Sequence, residues 1–310
     1  MSSVAEIIRE SHRAGSRAPK TSPFLKSATF IALYLILGVT AISMLIPFLW
    51  MIFTSLKPQD QIFRMPPVIF TTQYTLEHFA RALTRGNFNI YFKNSLIVSL
   101  SMMGMNLFIT SLAGYAFARL HWRGRETVFG IVLTVMMLPG LIALIPTFLI
   151  VRAVPFAGGN NWLGQYGTGW LDSYAGLVVP MVGNGFHVFL LRQFFLTLPK
   201  ELEDAGRIDG CSEFAIFWRI MLPLCKPVLA VVALFSFQAA WNDFLWALVI
   251  VQSDSIRTIQ LGLTLFKSQH NVDWGVLMAG TTIATAPTVA LFLSFQRYFV
   301  EGIALSGIKG

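Results

Sequence analysis

Charge is what this sequence has least of. Only 12% of its 310 residues are Asp, Glu, Lys or Arg, about half the roughly 25% of a soluble globular protein. A soluble fold of this length must cover a large surface. With 23 basic and 15 acidic side chains against 27 phenylalanines, it would expose apolar patches beyond what soluble proteins tolerate. Cysteine is nearly missing too: Cys211 and Cys225 are too few for a disulfide framework and flank no metal-type cluster. No G-x-x-x-x-G-K-[ST] phosphate loop, H-E-x-x-H or G-x-S-x-G occurs, and the five histidines are scattered. These absences leave the chain without a nucleotide site of its own, without a metal or cofactor to assign, and without support for a membrane enzyme.

What the sequence does hold is apolar: 55% of residues are hydrophobic and the mean hydropathy is +0.64. A bilayer-spanning helix needs about 20 mostly apolar residues. Six stretches qualify, at Thr29–Phe53, Asn94–Phe117, Val128–Ile150, Ser173–Phe195, Val228–Val251 and Val276–Val300. The fourth is interrupted by Gly183-Asn184-Gly185. The first is too long for a signal peptide and lacks a small-residue cleavage site. Six spans put both termini on one side. With the termini inside, the inner segments, with Arg192 and Arg297 at the inner ends of the fourth and sixth stretches, hold 15 of the 23 basic residues, so the positive-inside rule places both termini in the cytoplasm. That accounts for the net charge of +8 as chiefly an orientation signal, and no basic-aromatic groove supports nucleic-acid binding. The predicted class is an all-α integral membrane protein with a cytoplasmic amino-terminal tail over residues 1–27 and a transmembrane domain over 28–310.

Prolines 47, 139, 146, 180 and 287 fall within these stretches. Helix breakers survive in lipid where neighbours, water or a lined cavity satisfy the freed backbone, so five together favour an internal cavity or moving parts over simple packing kinks. Asp243 is the one acid placed inside a span, and intramembrane charges usually face a cavity or a partner. Asn242 precedes it, and Trp241 and Trp246 flank it. Two readings stand: Asp243 lines a pathway, or it lies near the outer interface and reaches water. Asn184, between two glycines, is a second polar candidate, because an opened helix there would present backbone groups to a ligand. Asn184, Asn242 and Asp243 are therefore the predicted path residues.

The inner segment Arg192–Pro227 holds a disproportionate share of the charge. Helical spacing puts Leu198, Leu202, Ala205 and Gly206 on one face and Lys200, Glu203, Asp204 and Arg207 on the other. Pro199 and the following carboxylates suit a helix start, and Glu203 with Arg207 has the favourable i,i+4 order. Gly210 sits where a left-handed residue would end this helix, and Ser212 can cap a second. The second carries Phe214, Phe217, Trp218 and Met221 on one stripe before Leu222-Pro223 stops it. Two short amphipathic helices joined at a glycine elbow, at about 197–227, make a knob at the membrane surface. It either lies on lipid or docks a protein, and the net acidic balance of the whole segment, five carboxylates against four basic side chains, which anionic headgroups would repel, favours a protein.

At this point the residues resemble a known family. Glu203-Asp204-Ala205, Ile208-Asp209-Gly210, then Phe217, Ile220 and Leu222-Pro223 look like the EAA loop of ABC-importer permease subunits. Asn94-Ser95-Leu96, Gly114-Tyr115-Ala116-Phe117-Ala118-Arg119-Leu120, Leu191-Arg192-Gln193-Phe194-Phe195, Trp241-Asn242-Asp243 and Gln296-Arg297-Tyr298-Phe299-Val300 extend the likeness to carbohydrate-importer permeases of the MalG type over roughly 28–310. Gly206 and Cys211 stand where alanine is usual, both still small, and Phe156–Trp170 looks like an insertion. The resemblance implies a permease subunit that forms half of a path for a carbohydrate or related polyol. It would work with a second permease, a cytoplasmic ATPase dimer that binds the ATP, and an extracytoplasmic binding protein. By matching position, Glu203, Asp204, Ala205, Asp209, Gly210, Phe217, Leu222 and Pro223 would couple the chain to the ATPase; the terminal Ile308-Lys309-Gly310, a short apolar-basic tail on the same side of the membrane, is expected to touch it as well. A secondary, ion-coupled transporter is the alternative, with a non-transporting scaffold behind it. The former would be expected to show two halves of matching hydropathy and no docking loop.

Overall fold

The structure, a computed structural model, describes residues 23–66, 71–84, 87–266 and 272–307. The expected tail over Met1–Ser22, the terminal Ile308–Gly310 and His270 lie outside the described residues. The chain divides into two compact units, with the boundary between Phe53 and Thr54. Helix α1 (Pro23–Leu56) supplies the described part of the first unit, and its side chains from Thr29 to Trp50 are all exposed. So apolar a surface needs lipid or another chain around it.

In the second unit come α2 (Gln59–Ile62), α3 (Glu77–Thr84), α4 (Phe88–Arg119), α5 (Arg125–Met136), α6 (Leu144–Arg152), α7 (Tyr174–Val178) and α8 (Gly185–Thr197). They are followed by α9 (Glu201–Ile208), α10 (Glu213–Leu224), α11 (Lys226–Trp241), α12 (Leu245–Ile250), α13 (Ile259–Thr264) and α14 (Trp274–Gly307). The described residues form no sheet; the fold is all-helical. Thr29–Leu56, Phe88–Arg119 and Trp274–Tyr298 are each long and apolar enough to cross a bilayer. Three bent pairs bring the count to as many as six.

The breaks revise the sequence expectation in two places. Val128–Ile150 is not one straight span: Arg125–Met136 and Gly140–Arg152 meet at 99°, with Pro139 at the corner. Proline cannot donate to the preceding turn and disfavours the helical conformation of the residue before it. Nor is Val228–Val251 continuous. Helix α11 has 16 residues, about 24 Å at 1.5 Å per residue, which falls short of a hydrocarbon core of about 30 Å. The chain breaks at Asn242–Phe244 and resumes as α12. The interruption expected at Gly183-Asn184-Gly185 is present, as a 46° bend between Tyr174–Met181 and Gly185–Thr197. Pro47 and Pro287, by contrast, sit inside unbroken helices.

Helix α4 is the central post, packing most extensively against α8 and α11. Its buried face carries small and polar residues, Ser95, Ser99, Asn106, Thr110, Ser111 and Gly114, the residue types that let membrane helices approach closely and bond across. A Cβ on Gly114 would lie 2.7 Å from Leu191 Cβ, so only glycine allows this α4–α8 contact. The segment Phe156–Trp170 folds back on itself. Buried Asn160 donates to the carbonyls of Arg152 and Val154 and accepts from Gly167 N–H.

Candidate functional site: a helical knob and two capped breaks

The knob is built from local rules. In α9, Glu201, Glu203 and Asp204 lie in the first turn and Arg207 in the last, each complementing the helix dipole. The helix ends as the sequence predicts. Gly210 has φ +78°, Gly210 N–H bonds Arg207 O at 3.1 Å, and Cys211 N–H bonds Gly206 O at 2.9 Å. That pair of bonds is the Schellman closure, which needs a left-handed residue at its centre. Ser212 then caps α10 by accepting from Ala215 N–H at 3.3 Å.

Inside α10, Ile216–Met221 forms a wider π-helical turn, with Leu222 N–H reaching Phe217 O. The helix runs past Leu222-Pro223, where the sequence placed its end, and stops at Cys225. There the chain turns through 85° into α11.

The facing of α9 departs from the expectation at Leu202, Glu203 and Ala205, while Gly206 is buried and Lys200, Asp204 and Arg207 are exposed as expected. Glu203 and Gly206 are buried, while Leu202 and Ala205 are exposed and Ile208 is 86% exposed. The reason is an ion pair: Arg119, at the end of α4, places Nε 3.2 Å from Glu203 Oε1, both side chains about nineteen-twentieths buried. A buried carboxylate is tolerated when it is paired. Burial pushes the Glu203 carboxyl upward against the pull of Arg119 and Arg207. Glu203 is therefore corrected from a surface contact to an internal anchor. On the outer face stand Leu202, Asp204, Ala205, Ile208, Asp209 and Gly210.

The stripe expected on α10 splits likewise. Phe217 and Met221 are buried, with Phe217 against Tyr115 at 5.2 Å between ring centres, whereas Phe214 and Trp218 are half-exposed. Leu222 is half-buried and Pro223 exposed. Arg207 ties the two helices together through Asp204 at 2.9 Å, Glu213 at 2.8 Å and, more loosely, Glu203 at 3.7 Å. Its hydrogen bond holds the Glu213 carboxyl below the usual range. A polar cleft of ≈ 790 Å³ opens beside the knob, lined by Arg119, Arg125, Lys200 and Glu203 among others.

Two of the three path candidates turn out to be helix caps. Asn184 Oδ1 accepts from Phe186 N–H at 2.9 Å, starting α8. Gly183 before it has φ +85° and donates to Asn106 Oδ1 at 2.9 Å. Asp243 accepts from Trp246 N–H at 3.3 Å and Ala247 N–H at 3.2 Å, starting α12. It thus lies in a break, not in the middle of a helix. Asn242 is exposed and accepts from Gln260 Nε2 at 3.5 Å. Trp241 and Trp246 are buried and donate to Ala284 O and Gly176 O. Among the described residues no hydrogen bond joins the Asn184 break to the Asn242–Asp243 break.

Arg119, Asn106 and the Asn94–Ser95 pair are further polar positions whose roles emerge only from the packed structure. Asn94 donates to Ser255 O and Arg257 O and accepts from Tyr174 OH, while Ser95 accepts from Ile259 N–H. Both appear in the sequence as polar residues opening an apolar run. Their partners, far along the chain, do not.

Broken apolar helices around one polar-faced post, with a braced helical knob between two of them, make this an all-helical, multi-pass membrane protein. The family model described as "Binding-protein-dependent transport system inner membrane component" matches residues 106–304, and the chain belongs to that family. It is a permease subunit of an ABC importer, located in the inner membrane. Among curated proteins it is 33% identical to the arabinooligosaccharides transport system permease protein AraQ of Bacillus subtilis (strain 168), over 90% of this chain and 96% of that one. It is 33% identical to the trehalose/maltose transport system permease protein MalG of Thermococcus litoralis, over 89% and 96%. A solved bacterial ABC transporter involved in the import of the acidic polysaccharide alginate superposes with TM-score 0.76 at 23% identity, covering 91% of this chain and 100% of the other. That likeness shows the fold alone.

Proposed function

We propose that this chain forms half of the transmembrane path for a carbohydrate or related polyol, delivered by an extracytoplasmic binding protein. A second permease forms the other half, and a pair of cytoplasmic ATPases, which bind the ATP, drives the cycle. The transport names of the relatives, for arabinooligosaccharides, lactose and trehalose/maltose, support the substrate class. The alginate system in complex with a pentasaccharide-bound periplasmic protein supports the binding-protein partner. Both termini and the knob lie in the cytoplasm by the distribution of basic residues.

The observation that carries the ATPase reading is the knob. It is braced from within and presents Ala205, Ile208, Asp209 and Gly210 on its outer face, a compact shape for a cleft on a partner. Asn184, Asn242 and Asp243 border the path at the two breaks, where the freed backbone and side chains can meet sugar hydroxyls.

The test is reconstitution of the chain with its partner permease and ATPase in proteoliposomes, with binding protein screened against sugars by thermal shift. A sugar that stabilises the binding protein should stimulate ATP hydrolysis and accumulate inside. Accumulation driven by an ion gradient with no ATPase present would overturn the reading.

A further inference from the structure

Helix α4 ends in Gly114-Tyr115-Ala116-Phe117-Ala118-Arg119, and this segment holds the knob at two points. Tyr115 and Arg119 stand one turn apart on the same face of α4. The Tyr115 hydroxyl donates to Glu213 Oε2 at 3.4 Å, on α10. Arg119 Nε faces Glu203 Oε1 at 3.2 Å, on α9. Arg207 closes the circuit by bonding both Glu213 and Asp204. A second arm of the Arg119 guanidinium donates to Phe195 O and Leu198 O at the end of α8, where Phe195 O also accepts from Leu198 N–H. One cation thus joins α4, the exit of α8 and α9, and Gly114 lets α4 and α8 come close enough for it to do so.

We propose that Tyr115 and Arg119 are positioning residues that clamp both coupling helices to the second span, so that displacement of the knob by the ATPase moves α4 and α8 with it. The proposal rests on the ATPase-docking reading above. A buried ion pair is weak evidence of stability, since apolar residues of similar volume often replace one without loss. Its value here is geometric: the contact ties the buried side of α9 to the end of α4, opposite the exposed face proposed to meet the ATPase. The exposed docking face contains neither clamp residue, so clamping and docking are separable.

The experiment uses the complete complex in proteoliposomes with Arg119→Met/Glu203→Leu, the charge exchange Arg119→Glu/Glu203→Arg, and Tyr115→Phe. The apolar pair should co-purify with the ATPase as the unaltered chain does, while stimulation of ATP hydrolysis by loaded binding protein, and sugar moved per ATP, fall about tenfold, within the range typical of site–site coupling. The charge exchange should restore part of that loss, an outcome a purely structural role does not require. Normal sugar moved per ATP in the apolar pair would overturn the proposal. If that variant fails to fold, Tyr115→Phe decides the matter: it removes one hydroxyl, should lower sugar per ATP a few-fold, and overturns the proposal if it does not. Failure of the unaltered chain to bind or respond to the ATPase would instead refute the docking reading itself.

Discussion

Gly210 is the position at which the knob's shape can be tested against a simple energy. Its φ of +78° is a conformation in which an L side chain crowds the following carbonyl, at a cost of about 1–2 kcal/mol. No steric contact adds to that cost, because a Cβ built on Gly210 meets nothing within 4 Å. Gly210→Ala should therefore lower stability by about 1–2 kcal/mol through the backbone alone. Gly210→Asn should cost less, since asparagine visits this region, and the β-branched Gly210→Val should cost most. Thermal unfolding of the purified subunit in nanodiscs reads the ranking, and a shift of about 2–4 °C per kcal/mol is the scale for a large domain. Coupled transport should follow the same order, because strain opens the two bonds that close α9. An alanine variant that unfolds with the unaltered chain, or an asparagine variant as damaged as the valine one, would refute the argument that the elbow depends on its left-handed residue.

Three other outcomes follow from the same geometry. Gly206→Ala should be nearly neutral in thermal unfolding: the gain of about 1 kcal/mol in helix propensity is offset by the shift of Ile220 Cδ1, which would lie 2.9 Å from the new methyl. Asp243→Ala should cost about 0.5–2 kcal/mol by removing the cap of α12 and Asp243→Asn much less; equal loss of uptake in both at normal stability would point to the charge and not the cap. Ile208→Asp and Ala205→Arg, on the exposed face of α9, should leave unfolding within about 0.5 kcal/mol of the unaltered chain while abolishing co-purification with the ATPase.

One titration adds a pH dependence. Arg207 holds the Glu213 carboxyl below its ordinary value. The contribution of that contact is therefore present above the unfolded carboxylate value, about 4.3, and is lost as the pH falls through the lower folded value. Thermal unfolding of Glu213→Gln should accordingly approach that of the unaltered chain only under acid conditions.

Features set by neighbours in the chain were legible from the residues alone. The apolar stretches, the interruption at Gly183-Asn184-Gly185, the left-handed Gly210 and the Ser212 cap all depend on contacts within a few residues, and the periodicity of side chains records such contacts directly. The burial of Glu203 on the inward face of α9 was not legible. A glutamate on an amphipathic helix belongs outside unless a cation meets it in the interior, and the cation here is Arg119, from the end of another span. Asp243 was misplaced for a related reason. Its neighbours are apolar enough to continue a helix, so composition carries α11 through it, and only the packed bundle shows the chain breaking at Asn242–Phe244 so that the carboxylate caps α12. The sequence by itself determined that this is a helical membrane protein, which of its residues can turn, and where a knob would form. Tertiary structure decided which sides of those helices are hidden, because burying a charge or ending a helix in an apolar setting is settled by the partner groups that packing brings to it.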